Sequence, residues 1–403
     1  MAHDLTTGLP ELAPLPYHSQ VVQYLRTEEP EVWRWACSAQ AKEAHAAEVR
    51  ASLLQQNYRL DADAHPELHA RCAAAVAALG IDVPVTLYQG GDGPMNASLF
   101  HVPGEAHVVL YGPVLERLKG AELQALLGHE LAHHLLWTRE GGIHHVADRV
   151  LDATAADPRA AASHQQTARL LSLHTELFAD RGGAVACGDL HAAVAVLVKV
   201  QTGLVDVSAP SYLRQADEVC GSGVPTSSAL THPDAFVRAR ALRLWCERDP
   251  AAEDWVSQAL RGPLSLETLD IPGQQRLQRL TERVVAQLLR PRCLRSEGLL
   301  AHARQFFPDF TPTDADDVAL AGELAAQPGV HDYVSAVLMD FAVADRSLDD
   351  VPLASAFHLA QGFGLADPFE RAVLKDLRVP RRRATRLRLE AADLLARAEA
   401  AHG

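Results

Sequence analysis

Gly128-His129-Glu130-Leu131-Ala132-His133 restricts this chain more than any other stretch of it. Four residues along an α-helix advance about 400°, so His129 and His133 leave one face a turn apart, where two imidazoles can reach a single metal ion. Glu130 is carried beside them, within reach of a water at that ion. The pattern has this meaning only on a helix, and Leu123, Leu126, Leu127, Leu131 and Leu135 predict one from Gly120 to about Thr138. The competing reading, two surface histidines flanking an exposed glutamate, fits poorly with so apolar a helix.

A catalytic zinc takes three protein ligands and keeps one position open. The shortest known extension of the pattern would need Gly at 136 and His at 139, where this chain has Leu136 and Arg139, so the third ligand lies further along. Glu176, 43 residues after His133, is the best candidate, in the run Glu176-Leu177-Phe178-Ala179-Asp180. A helix from about His164 to Ala186 puts Asp180 one turn beyond Glu176, placed to accept a hydrogen bond from a ligand imidazole and fix its tautomer. His144, His145, His164, His174 and Asp148 compete. His174 lies about 200° around the helix from Glu176, and the others fall in or beside Gly141 to Ala162, read as a loop or short helix. For Glu176 and Asp180 the bland alternative is a solvated helix face.

These motifs, with Asn96-Ala97 in a preceding strand and Thr231-His232-Pro233 downstream, resemble the gluzincin peptidases of the HtpX and CAAX-prenyl-protease type over roughly residues 60 to 245. The membrane helices common in that family have no counterpart here, so the resemblance is to a soluble branch. It implies an α+β zincin-like peptidase domain, Zn2+ as cofactor, a protein or peptide substrate, and a zinc-dependent endopeptidase with Glu130 as general base. Arg238, six residues after His232, matches the arginine that follows the His-Pro motif, and the resemblance implies that His232 and Arg238 stabilise the negative oxygen formed as water attacks a carbonyl. A capped turn at His232 and a surface ion pair at Arg238 are the plain alternatives. By the same resemblance the strand through Asn96, Ala97 and Ser98 offers its edge to an extended substrate; a purely structural hairpin is equally compatible with the residues. A silent peptidase-fold adaptor and a zinc-stabilised binding protein are the rival functions, and an intact Glu130 speaks against both, because neither needs a base beside the water.

The rest of the chain reads as mainly α with a small β-sheet, followed by an all-α C-terminal domain. Alanine is abundant and aromatic residues make up only 5%, which favours helices over sheets. At 403 residues more than one core is expected: an N-terminal helical segment at 1–59, a metallopeptidase domain at 60–250, a helical linker at 251–300 and a helical domain at 301–403. One long helix is predicted from Pro30 to Asn57 and another from Pro66 to Leu79, ended by Gly80. Strands are predicted around Val83 to Leu87, at Asn96 to Val102 and at Ala106 to Tyr111, the last two joined through Pro103-Gly104.

Residues 331–377 are similar to TerB-like helical domains, in which an acidic turn joins two helices. A second metal at Asp340, Asp345 and Asp349 is one reading of that turn; a capping loop is the preferred one. The cluster Arg378, Arg381, Arg382, Arg383, Arg386 and Arg388 lacks interleaved aromatics and runs into an acidic helix. With a net charge of −14 it predicts a solvated or partner-facing surface rather than nucleic-acid binding. The six cysteines show no paired spacing, Met1 to Leu5 shows no secretory leader, and the apolar run Ala192 to Val198 is cut by Lys199 far short of a membrane span, so a cytoplasmic protein is expected.

Overall fold

The computed structural model describes residues 8–221, 223 and 226–402, without the side chains of 39–46; the Met1 to Leu5 stretch lies outside them. The chain forms two units by contact, Met1–Gly262 and Pro263–Gly403, and the division falls inside the stretch 251–300 read as a linker.

In the first unit, α1 (Pro16–Glu28), α2 (Pro30–Ala36) and α3 (Ala39–Gln56) lead into β1 (Tyr58–Arg59), α4 (Pro66–Leu79), β2 (Val85–Gln89), β3 (Asn96–Val102) and β4 (Glu105–Tyr111). There follow α5 (Val114–Arg117), α6 (Gly120–Thr138), α7 (Ile143–Ala155), α8 (Ala162–Cys187), α9 (Leu190–Thr202), α10 (Ala209–Cys220), α11 (Ala235–Cys246) and α12 (Ala252–Arg261). Mainly helical architecture with one small sheet is therefore what the composition predicted. The helix expected over Pro30 to Asn57 is two: Ser38, extended at φ −65° and ψ 148°, interrupts it ahead of α3. Gly141 to Ala162 holds a full helix, α7, because Val146, Ala147, Val150 and Leu151 recur at helical spacing and are buried. Gly80 ends α4 in the left-handed region, at φ 64°, where a side chain would be strained.

The sheet runs β1-β2-β4-β3, with β2 parallel to β4 and β3 antiparallel to it, Asn96 opposite Tyr111 and Val102 opposite Glu105. Leu87, Ala97, Ala106, Val108 and Leu110 point to one face and join the main core with Leu123, Leu127, Leu131 and Phe178. Tyr88 and Val109, on the other face, pack on Leu53 of α3. This period-two division buries the central strand β4 on both sides and leaves β3 on the rim, its outer edge unpaired among the described residues.

The second unit is all helix: α13 (Ile271–Leu288), α14 (Glu297–Phe306), α15 (Leu320–Ala325), α16 (His331–Ala344), α17 (Val351–Gly362), α18 (Ala366–Lys375) and α19 (Arg381–His402), around Phe341, Phe357 and Phe369. Its acidic turn is a cap. Asp345 accepts hydrogen bonds from Ser296 Oγ at 2.6 Å and from the Ser347 backbone at 2.9 Å, while Asp340 meets His302 at 2.7 Å. Of the arginine cluster, Arg383 pairs with Asp350 and Arg388 with Glu370. No helix among the described residues is long and apolar enough to cross a membrane.

Candidate metal centre

Two helices cross here at unusually short range, and small residues allow it. A methyl group added at Gly182 of α8 would lie 2.2 Å from Ala132 Cβ of α6, and one at Gly128 would lie 2.2 Å from Ala186 Cβ. At Gly183 it would lie 2.8 Å from the Ala125 carbonyl oxygen. Helix axes normally stand about 8–10 Å apart according to the side chains between them, so replacing side chains with hydrogen and methyl draws the backbones together. His129 and His133, each the residue that follows a contact position of α6 (Gly128 and Ala132), are thereby brought up to Glu176 and Asp180 on α8.

The resulting geometry is that of a ligand set. His129 Nε2 lies 3.6 Å from Glu176 Oε2, His133 Nε2 lies 3.6 Å from Glu176 Oε1, and the three side chains offer ligand atoms that are all within 4.8 Å of one another. Atoms bound at about 2.0–2.2 Å around a tetrahedral ion stand about 3.3–3.6 Å apart, so the spacing suits a small divalent cation. Nitrogen and carboxylate donors in this number are also a zinc-type set.

Two of the three candidate ligands are held from behind, while His133 Nδ1 is buried without a hydrogen-bond partner among the described residues. Asp180 Oδ1 lies 3.1 Å from His129 Nδ1, which leaves Nε2 facing Glu176. Arg238, on α11, donates through Nε to Asp180 Oδ2 at 2.8 Å and through Nη2 to Asp180 Oδ1 at 2.7 Å, and Nη2 lies 3.2 Å from Glu176 Oε2. Its Nε and Nη2 are thus turned to the two carboxylates. His232, just ahead of α11, brings Nε2 to 3.5 Å from Glu176 Oε1 with a side chain 61% exposed.

The structure therefore gathers His129, Glu130, His133, Glu176, Asp180, His232 and Arg238 in one place. The rival ligands are engaged elsewhere. His174 stacks on Tyr17 at 4.3 Å and donates to the Leu170 carbonyl at 2.7 Å. His164 meets Glu29 at 2.8 Å, His145 lies against His101 at 4.6 Å, and His144 lies against His18 at 5.9 Å. Asp148 is close by but outside the ligand group.

Burial and charge set the protonation of the cluster. Burial alone would raise Glu176 and Asp180, but Arg238 and the histidines overcome it; Glu176 falls below the usual carboxylate range and Asp180 falls to about 2. Glu130 goes the other way: burial, reinforced by Glu176, pushes it up to about 7 against the pull of His129 and Arg238. Burial lowers His133 to about 4, whereas His129, also disfavoured as a cation by burial, is raised overall by Asp180 and Glu176. Glu176 and Asp180 are thus held as anions, while burial shifts Glu130 toward its protonated form.

The cluster opens into a cavity of about 390 Å³. Asn96, Ala97 and Ser98 of the rim strand β3 line it, as expected, and so does Leu99, whose backbone N–H donates to Glu130. Sequence reasoning missed Leu99, because a backbone donor carries no residue signature. It also missed the apolar wall from α9, Ala193, Val196, Leu197 and Val200, although that run stood out as apolar, and it missed Trp137, one turn past His133.

Comparison with known proteins supports the same region. Residues 62–246 match the sequence profile of peptidase family M48. Over 197 residues the chain is 28% identical to the plastoglobule-localized metallopeptidase 48, chloroplastic, of Arabidopsis thaliana, an alignment that covers 44% of this chain and 56% of that protein. The chain thus spans about half the length of the curated relative it matches. No solved structure matches it.

Proposed function

We propose that the chain is a zinc-dependent endopeptidase that hydrolyses peptide bonds of protein or peptide substrates. The observation that carries this reading is the placement of Glu130, a buried carboxylate, beside a His-His-Glu ligand set in a cavity rimmed by a strand edge that is unpaired among the described residues. His129, His133 and Glu176 would hold the ion, which when bound supplies Lewis acidity toward water and the substrate carbonyl.

The chain's own residues do the rest. An extended peptide adds to the outer edge of β3, where backbone groups of Asn96 to Leu99 give affinity with little sequence preference. Glu130 accepts the proton of the attacking water and passes it to the leaving amine, a transfer its raised pKa suits. His232, exposed and facing the cluster, is the side chain with room to stabilise the developing oxyanion. Arg238, whose Nε and Nη2 are turned to Asp180 and Glu176, acts as a positioning residue. The cysteines are free thiols, which fits a reducing compartment such as the cytoplasm.

Casein hydrolysis by the zinc-loaded protein, with a chelator control, tests the reading. Glu130→Gln should bind zinc as the wild type does and lose about 10²–10⁴-fold in turnover, the usual contribution of a general base. Undiminished hydrolysis by that variant removes Glu130 from the mechanism.

A further inference from the structure

The cavity wall supplied by α7 carries a feature that hydrolysis does not require. Asp148 and Asp152, four residues apart and so on one face of the helix, both line the cavity that holds the ligand set. Asp148 makes no hydrogen bond or ion pair with any described residue, and burial, with Asp152 adding to it, pushes its pKa up to about 7. No cation of the described chain compensates it, in contrast to Glu176 and Asp180, which face Arg238. Two like charges at this spacing weaken a helix, and an unpartnered carboxylate drawn into a wall weakens the fold further.

We propose that Asp148 and Asp152 form a subsite for the side chain of a lysine or arginine in the polypeptide substrate, an inference that rests on the peptidase reading. The surroundings fit such a side chain. Trp137 lines the same cavity and offers an aromatic face to an aliphatic stem and its cationic head, while Ser172 and Thr175 add hydroxyl groups. The α9 wall, built of Ala193, Val196, Leu197 and Val200, is apolar and takes a different residue of the substrate. Strand addition to β3 fixes the register of the peptide but reads no side chain; the acidic wall supplies a preference that the backbone contacts cannot.

The test uses the zinc-loaded full chain and matched peptides carrying lysine, norleucine or glutamate at successive positions around the cleaved bond. At one fixed position kcat/KM for lysine should exceed that for norleucine by about tenfold or more, the scale of a close charge pair in a partly desolvated site. In Asp148→Asn/Asp152→Asn the ratio should fall to about one, and Asp148→Asn/Asp152→Lys should favour glutamate there. If the double variant does not fold, Asp152→Asn alone, at an exposed position, should lower the ratio. A wild type without such a position, or a preference that survives both substitutions, overturns the subsite while leaving the peptidase reading intact. Binding of the same labelled peptides to zinc-loaded Glu130→Gln, read by anisotropy, is the second arm: lysine-dependent affinity that is lost on adding the two asparagines supports the subsite even if the wild type cleaves nothing, and lysine-independent binding counts against it.

Discussion

Gly182→Ala puts the helix crossing to the test. The new methyl carbon would sit 2.2 Å from Ala132 Cβ, whereas carbons in contact prefer about 3.5–4.0 Å, so α6 and α8 must part by about 1.3 to 1.8 Å. Carried to the ligands, that parting stretches the 3.6 Å separations between histidine nitrogens and Glu176 oxygens to about 5 Å, beyond what one ion with bonds near 2.1 Å spans. Zinc affinity should fall by about 10- to 100-fold or more. Stability is a blunter readout, since overpacking costs about 1–3 kcal/mol while replacing a helical glycine returns about 1 kcal/mol. The sharper prediction is the rescue. Ala132→Gly alone should cost about 2 kcal/mol, from lost helix propensity and a lost buried methyl, yet in the Gly182→Ala background it moves the methyl from one helix to the other and should restore zinc affinity. All five tryptophans lie in the Met1–Gly262 unit, so their fluorescence follows unfolding of that unit specifically, and a competition titration gives the zinc affinity. A Gly182→Ala protein that binds zinc within about twofold of wild type, or a double variant no better than the single one, refutes the close crossing as what places the ligands.

Arg238→Ala leaves Asp180 and Glu176 facing one another in a buried site, so the metal-free protein should lose about 3–5 kcal/mol in denaturant unfolding, with zinc restoring part of it. A loss under about 1 kcal/mol would show the pair to be as weak as one in solvent. His18, buried with its pKa held below the ordinary 6.5 by burial and by His174 and His144, is neutral in the fold. A depressed histidine contributes stability above 6.5 that is lost as pH falls and the unfolded chain takes the proton. His18→Gln should therefore make the stability curve of the first unit shallower below that pH by up to about 1.4 kcal/mol per pH unit, and parallel curves would contradict it.

What could be seen in the sequence and what could not divides along the range of the interactions. The α6 helix, its two histidines and Glu130 are set by local periodicity, so spacing alone located them. Glu176 and Asp180 were legible because a one-turn separation on a single helix is also local, even though the crossing that joins α8 to α6 is not. The crossing did leave a trace: Gly128 and Ala132, and Gly182 and Ala186, repeat small residues four apart on both helices, the pattern two backbones need to approach. Helix α7 was obscured by Gly141-Gly142 at its entrance, which read as loop, while Val146, Val150 and Leu151 already carried its period. The insertion of β4 between β2 and β3, with one parallel and one antiparallel neighbour, has no local signature, because strand order depends on pairing over long separations.

On the proposed reading, the charge arrangement gives Arg238 a role that needs no contact with substrate. Glu176 must be an anion to bind a cation, yet it is buried, and burial favours a proton on it. Arg238 removes that tendency, holding Asp180 in a two-point grip and Glu176 through the same Nη2. Glu176 is then deprotonated and held in place before any ion arrives, so binding need not supply the work of stripping a proton from a buried carboxylate. Glu130 lies further from this compensation, and burial pushes its pKa up. In the proposed mechanism one arginine thus keeps Glu176 charged as a ligand while Glu130 is left to exchange a proton.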